Sequence, residues 1–118
     1  MIKGIGMDLI ELKRIQASLD RNEKFVDRIL TENEKKACDL LPSYNRRIEY
    51  IAGRFAAKEA FSKAVGTGIG RLSFQDIEVL HDESGAPVLT ARGYEQFRIF
   101  VSITHSKDYA AAQVILET

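Results

Sequence analysis

The feature that most constrains this chain is one long helical pattern running from Ser43 to Val65. Ile48, Ile51, Ala52, Phe55, Ala56, Ala60 and Ala64 recur there at helical spacing. Gly66 follows as a helix stop. Alanines let neighbouring backbone come close, so the rest of the fold has to be built against this helix. The chain has 118 residues, a length that suits one domain, and residues 1–118 are expected to form a single domain around it.

The other segments are shorter. Ile2 to Glu11 alternates as a strand does, with Ile5, Met7 and Leu9 on one face and Gly4, Gly6, Asp8 and Ile10 on the other. Two glycines on one face of a strand mark a place where a ligand or another backbone comes near. Helices are predicted over Glu11 to Leu19, Glu23 to Ile29, and Glu32 to Leu41. The last opens with a Thr31-x-x-Glu34 capping box and is ended by Pro42. Ile77 to His81 and Pro87 to Thr90 read as a hairpin turning through Asp82-Glu83-Ser84-Gly85, and Ile99 to Ser106 and Tyr109 to Leu116 as a second. Arg92 to Phe97 reads as neither helix nor strand with any clarity. The expected class is α+β, a mostly antiparallel sheet packed with one long central helix and shorter helices.

Composition removes several function classes. There are 17 basic and 17 acidic residues, so no global basic field for nucleic acid exists. No apolar run nears membrane-spanning length, and the start Met1-Ile2-Lys3-Gly4 lacks the apolar stretch of a secretory signal. A lone cysteine, Cys38, has no neighbouring histidine or CxxC partner; it suits a reducing compartment, here the cytoplasm, and reads as packing.

Five groups of residues carry possible chemistry. Glu59 and Lys63 are four apart on one helical face, and Arg54 lies about 140° around from Glu59. Spacing alone describes an ordinary ion pair on a solvated helix; the alanine-rich surroundings argue that the helix is packed and its charges employed. Asp8 on its glycine-flanked strand is either a solvated carboxylate, the commoner case, or one of a pair of oxygen ligands that it offers with Glu59 to a hard cation. Magnesium is held by one or two carboxylates plus phosphates, whereas zinc prefers nitrogen and sulfur. The loop Gly66-Thr67-Gly68-Ile69-Gly70 is neither a dinucleotide fingerprint nor a P-loop; it reads as helix termination, or, beside Lys63, as amides near a phosphate. His105 in Ser102-Ile103-Thr104-His105-Ser106 falls on the Val101 and Ile103 side of its strand, where a half-buried structural histidine is the commoner reading. Finally Arg14, Arg21 and Arg28 are seven apart, with Lys13 and Lys24 interleaved. They form either a solvated basic face or a ridge that orients an acidic protein.

Together these segments resemble the holo-acyl-carrier-protein synthase family, most closely its short Bacillus-like enzymes. The likeness rests on Gly4-Ile5-Gly6-Met7-Asp8-Leu9-Ile10 with Arg14-Ile15, on Gly53 to Ala64 with Gly66-Thr67-Gly68, and on Ser102 to Ser106, in family order over nearly the whole chain. It implies the 4'-phosphopantetheinyl transferase fold and a homotrimer with active sites between subunits. It implies transfer of the 4'-phosphopantetheine arm of coenzyme A to a serine of apo-acyl carrier protein, for fatty acid biosynthesis, releasing adenosine 3',5'-bisphosphate. Asp8 and Glu59 match the family's magnesium carboxylates, and Lys63 the lysine at the pyrophosphate. Arg54, Gly66, Gly68 and His105 resemble coenzyme A contacts. Arg14, Arg21 and Lys24, with Arg28 continuing the series, match the carrier-protein surface. Lys24 stands where an arginine is often found and offers a point charge in place of a bidentate fork. Thr104 stands where some members have serine.

Two other readings compete. A magnesium-dependent phosphohydrolase would use the same carboxylates with water as nucleophile, but a small substrate has no need of the arginine ridge. A non-catalytic binding module would use the ridge but leave the Asp8 and Glu59 pair without a purpose.

Overall fold

The computed structural model describes residues 1–66 and 72–118. Strand β1, Ile2–Glu11, runs directly into helix α1, Leu12–Arg21. Asn22 then adopts an extended conformation (φ −152°) and breaks the chain before the short helix α2, Phe25–Ile29. Helix α3, Glu32–Asp39, opens with the expected capping box between Thr31 and Glu34. Helix α4, Tyr44–Val65, is capped at its start by the Ser43 side chain and stopped at Gly66, whose φ of 86° lies in the left-handed region that favours glycine. Strands β2, Ile77–His81, and β3, Pro87–Ala91, form one antiparallel pair. Strands β4, Arg98–His105, and β5, Tyr109–Glu117, join β1 in a three-stranded antiparallel sheet ordered β1-β5-β4. The α+β class holds, divided between two small sheets. The unclear segment Arg92 to Phe97 is a turn whose aromatics close the core: Tyr94 meets Phe61 edge-on with ring centroids 5.3 Å apart.

Helix α4 is buried around most of its circumference, with Ala52, Ala56, Ala57 and Ala60 inaccessible. Its small side chains set how close the sheet comes. A Cβ on Gly6 would lie 1.8 Å from the Ala60 carbonyl oxygen, and one on Gly4 would lie 2.0 Å from that of Ala64. Strand β1 therefore rests on the helix backbone itself, and the two glycines answer to another backbone. Near the middle of α4 a Cβ on Gly53 would lie 3.1 Å from Ile103 Cγ2. The helix thus crosses the sheet diagonally, its first half over β4 and its second half over β1. The opposite face of β1 is left uncovered, with Met7 61% and Leu9 64% exposed.

One buried cluster locks the remaining elements to α4. The Lys58 ammonium donates to Glu34 Oε1 at 2.6 Å, to the Ile29 carbonyl at 2.7 Å and to the Phe74 carbonyl at 3.0 Å. Glu34 Oε2 accepts from the Val79 amide at 2.7 Å. Both side chains are wholly buried, and every polar group of the pair has a partner, as burial of charge demands. Burial pulls the Lys58 ammonium down from its ordinary pKa, and the Glu34 charge opposes that pull. Cys38 is buried beside this region, and burial raises its thiol, in keeping with a packing role.

Candidate active site

Because β1 lies antiparallel to the second half of α4, Asp8, two residues beyond Gly6 on the same face, arrives beside that helix. Lys63 Nζ reaches across to Asp8 Oδ1 at 3.0 Å and to the Met7 carbonyl at 2.9 Å. Lys63 thus serves β1, rather than closing the local pair with Glu59 that its spacing allows. Glu59 stands one turn earlier. Its carboxyl is held above the usual carboxylate range, first by burial, then by the negative charge of Asp8, with Lys63 opposing. Lys63 and Asp8 are in direct contact, and Glu59, four residues before Lys63, shares its face of α4 on the side of β1. The donor set of these three is two carboxylates and an ammonium, and no group of three or more His, Cys, Asp or Glu side chains suited to a metal occurs among the described residues. Such a set fits magnesium, which takes few protein ligands and leaves room for phosphate oxygens and water. Gly66 follows directly, its amide already engaged by the Ser62 and Lys63 carbonyls. Gly68 and the rest of the glycine loop lie outside the described residues.

A second cluster lies on the β4 side of α4. A cleft of about 410 Å³ is lined by Arg46, Glu49, Arg54, His81, Ile103 and His105, among others. Arg54 is buried and held from three sides. Its guanidinium lies 3.9 Å over the Tyr50 ring, its Nε donates to the Val79 carbonyl at 3.3 Å, and its Nη2 lies 3.4 Å from His81 Nδ1. Burial pulls the Arg54 pKa down, though a guanidinium stays cationic. The His81 ring is pushed towards its neutral form, first by burial and then by Arg54. Among the described residues no carboxylate lies within ion-pair distance of Arg54, so the cleft carries surplus positive charge. His105, 52% exposed, presents Nδ1 to Glu49 Oε2 at 3.4 Å.

Arg46, Glu49 and His81 escaped the sequence reading. A signal for the first two was available: Arg46, Glu49, Tyr50, Gly53 and Arg54 follow the i, i+3, i+4, i+7, i+8 pattern of one helical face. His81 carried no such signal, since only the fold brings β2 to α4.

The two clusters are distinct within the chain. Asp8 and Ile103 flank Ala112, while Ile10 and His105 flank Ala110, so Asp8 and His105 share the helix-facing side of the sheet. They stand two strands and two residues apart, roughly 12 Å at the backbone. The basic series is also divided. Arg14 and Arg21 share a face of α1, but the break at Asn22 removes Arg28 from their helical register. Arg14, Arg21, Lys24 and Arg28 are all exposed, and none makes an ion pair among the described residues.

The 4'-phosphopantetheinyl transferase superfamily model matches residues 4–114. A holo-[acyl-carrier-protein] synthase of Oceanobacillus iheyensis is 58% identical over 118 residues, covering 100% of this chain and 98% of that one. A crystal structure of a holo-(acyl-carrier-protein) synthase from Bacillus anthracis, in complex with CoA (3',5'-ADP), superposes with a TM-score of 0.91 at 54% identity, covering 100% of this chain and 98% of that one. The Helicobacter pylori synthase in complex with coenzyme A gives 0.84 at 34% identity, covering 96% and 99%. The chain belongs to the 4'-phosphopantetheinyl transferase superfamily and, within it, to the holo-[acyl-carrier-protein] synthases.

Proposed function

We propose that this enzyme moves the 4'-phosphopantetheine arm of coenzyme A onto a serine of apo-acyl carrier protein, in the cytoplasm and in support of fatty acid synthesis. The observation that carries the reading is the contact of Lys63 with Asp8 at the crossing of β1 and α4, with Glu59 on the same face of the helix. Phosphoryl transfer asks for charge neutralisation and positioning more than for covalent catalysis. Lys63 supplies positive charge at the pyrophosphate, and the Asp8 and Glu59 carboxylates would hold magnesium against it. When bound, that ion stabilises the negative charge that develops on the transferred group and the leaving group. The serine Oγ forms a bond to the phosphorus next to the pantetheine arm, and the bond from that phosphorus to the nucleotide breaks, releasing adenosine 3',5'-bisphosphate. A water held by the carboxylates takes up the serine proton.

The cationic cleft of Arg46, Arg54 and His105 suits the nucleotide end of coenzyme A. Its separation from the Asp8 cluster supports a site shared between subunits, in which one protomer supplies the carboxylates and its partner the cleft. The uncovered face of the sheet supports the same homotrimer: Ile5, Ile115 and Phe100 form one cross-strand row beside Met7 and Leu9. Arg14, Arg21, Lys24 and Arg28 would meet an acidic carrier protein.

The test is to incubate the protein with coenzyme A, magnesium and apo-carrier protein, then weigh the carrier. A gain of one phosphopantetheine is expected. The Glu59→Gln variant should keep its fold and lose at least about 10²-fold in turnover, the scale of removing one electrostatic stabiliser. Nucleotide breakdown with an unchanged carrier would replace this reading with a phosphohydrolase, and full activity in Glu59→Gln would refute the metal assignment.

A further inference from the structure

Glu49 is an odd residue to find in the cleft. It places a carboxylate beside Arg46 and Arg54, where an anionic ligand would otherwise meet two guanidinium groups and the rings of His81 and His105. The register of α4 on β4 explains what it faces. Gly53 lets the strand approach until Ile103 Cγ2 lies 3.1 Å from where a Cβ would stand. From that contact, Glu49 is four residues back along the helix, about 6 Å, and His105 is two residues on along the strand, about 7 Å. The two displacements match, and His105 Nδ1 comes to 3.4 Å from Glu49 Oε2. Both side chains sit on the cleft wall, held by elements that a glycine brings together.

We propose that Glu49 is a positioning residue for His105: it engages Nδ1, fixes the ring, and leaves Nε2 as the polar atom offered to the nucleotide end of coenzyme A. A carboxylate beside one ring nitrogen decides which nitrogen carries hydrogen and how the ring is turned. A pair as exposed as this contributes little to stability, so fold alone gives Glu49 no role. Helix propensity gives it none either, since glutamine or alanine serves as well at that position. The same contact eases the conflict of charge, because one oxygen of the carboxylate is directed at the histidine.

This inference rests on the transferase reading above, and its test separates the two. KM for coenzyme A and kcat are measured for Glu49→Ala, Glu49→Gln, His105→Ala and the Glu49→Ala/His105→Ala double variant, with carrier mass as readout. Nitrogen chemical shifts of the His105 ring are recorded for the wild type and Glu49→Ala. Glu49→Ala is expected to raise KM about tenfold, the scale of one charge-assisted contact, with kcat nearly unchanged. Glu49→Gln, whose amide oxygen offers Nδ1 an acceptor at the same place, should recover most of that loss. The double variant should be no worse than His105→Ala, and the ring shifts should report a Nδ1-bound hydrogen that Glu49→Ala loses. Unchanged KM in Glu49→Ala, additive losses in the double variant, or identical ring shifts would overturn the proposal. A wild type that leaves the carrier unmodified would sink the transferase reading instead, and the ring shifts would still decide whether Glu49 sets the histidine.

Discussion

Lys58 and Glu59 are neighbours in sequence with opposite surroundings. One step along α4 turns Lys58 into the interior, where it holds Glu34 and two carbonyls, and turns Glu59 toward β1 and Asp8. The sequence made Glu59 conspicuous because a carboxylate and a lysine four apart on an alanine-rich helix call for an explanation. It hid Lys58, because a helical lysine reads as solvated until the fold closes over it. Glu34 was legible as half of a capping box, and its second role as the counter-charge of Lys58 was not. Replacing Lys58 by methionine should leave Glu34 buried without a counter-charge and lower stability by about 3–5 kcal/mol. Urea unfolding would read this as a lower midpoint, and pairing the change with Glu34→Gln should restore part of the loss.

At the scale of elements, β1 and α4 explain one another. The strand's glycines and the helix's alanines were both visible, but nothing local said that they meet. A Cβ at Gly6 would strike the backbone carbonyl of Ala60, an atom that cannot rotate away. Gly6→Ala is therefore expected to be destabilising by at least about 1–3 kcal/mol, as overpacking is. Because Asp8 is two residues on, transfer activity should fall more than stability does. Thermal melts and assays on the same samples would show both. Helix α1 makes a different prediction. Arg14 and Arg21 share its exposed face, so reversing both to glutamate should raise the KM for carrier protein well beyond the KM for coenzyme A, and the effect should shrink with added salt. Equal effects on both substrates would remove the ridge from the docking surface. The heptad spacing to Arg28 did not survive folding, because Asn22 ends α1 and turns the chain.

For the whole molecule, the outward face of the three-stranded sheet matters most. An edge strand carrying exposed Ile5, Met7 and Leu9 is an unusual amount of apolar surface for so small a protein. If the proposed homotrimer is built on this face, Met7→Glu should give smaller species than the wild type in size-exclusion chromatography with light scattering, with far-ultraviolet circular dichroism unchanged and transfer activity lost. A variant that assembles like the wild type would place the subunit contact elsewhere.

The sequence by itself determined the secondary elements, the caps of α3 and α4, and the chemical character of Asp8, Glu59 and Lys63. Those features depend on residues within a turn or two of each other, where periodicity and capping chemistry operate. Tertiary structure alone decided that β1 lies on helix backbone, that Lys58 is buried, and that Arg54, His81, Glu49 and His105 face one cleft. These are contacts between residues far apart in the chain. They follow from the diagonal path of α4 across the sheet, which is set by where glycine and alanine allow two backbones to touch.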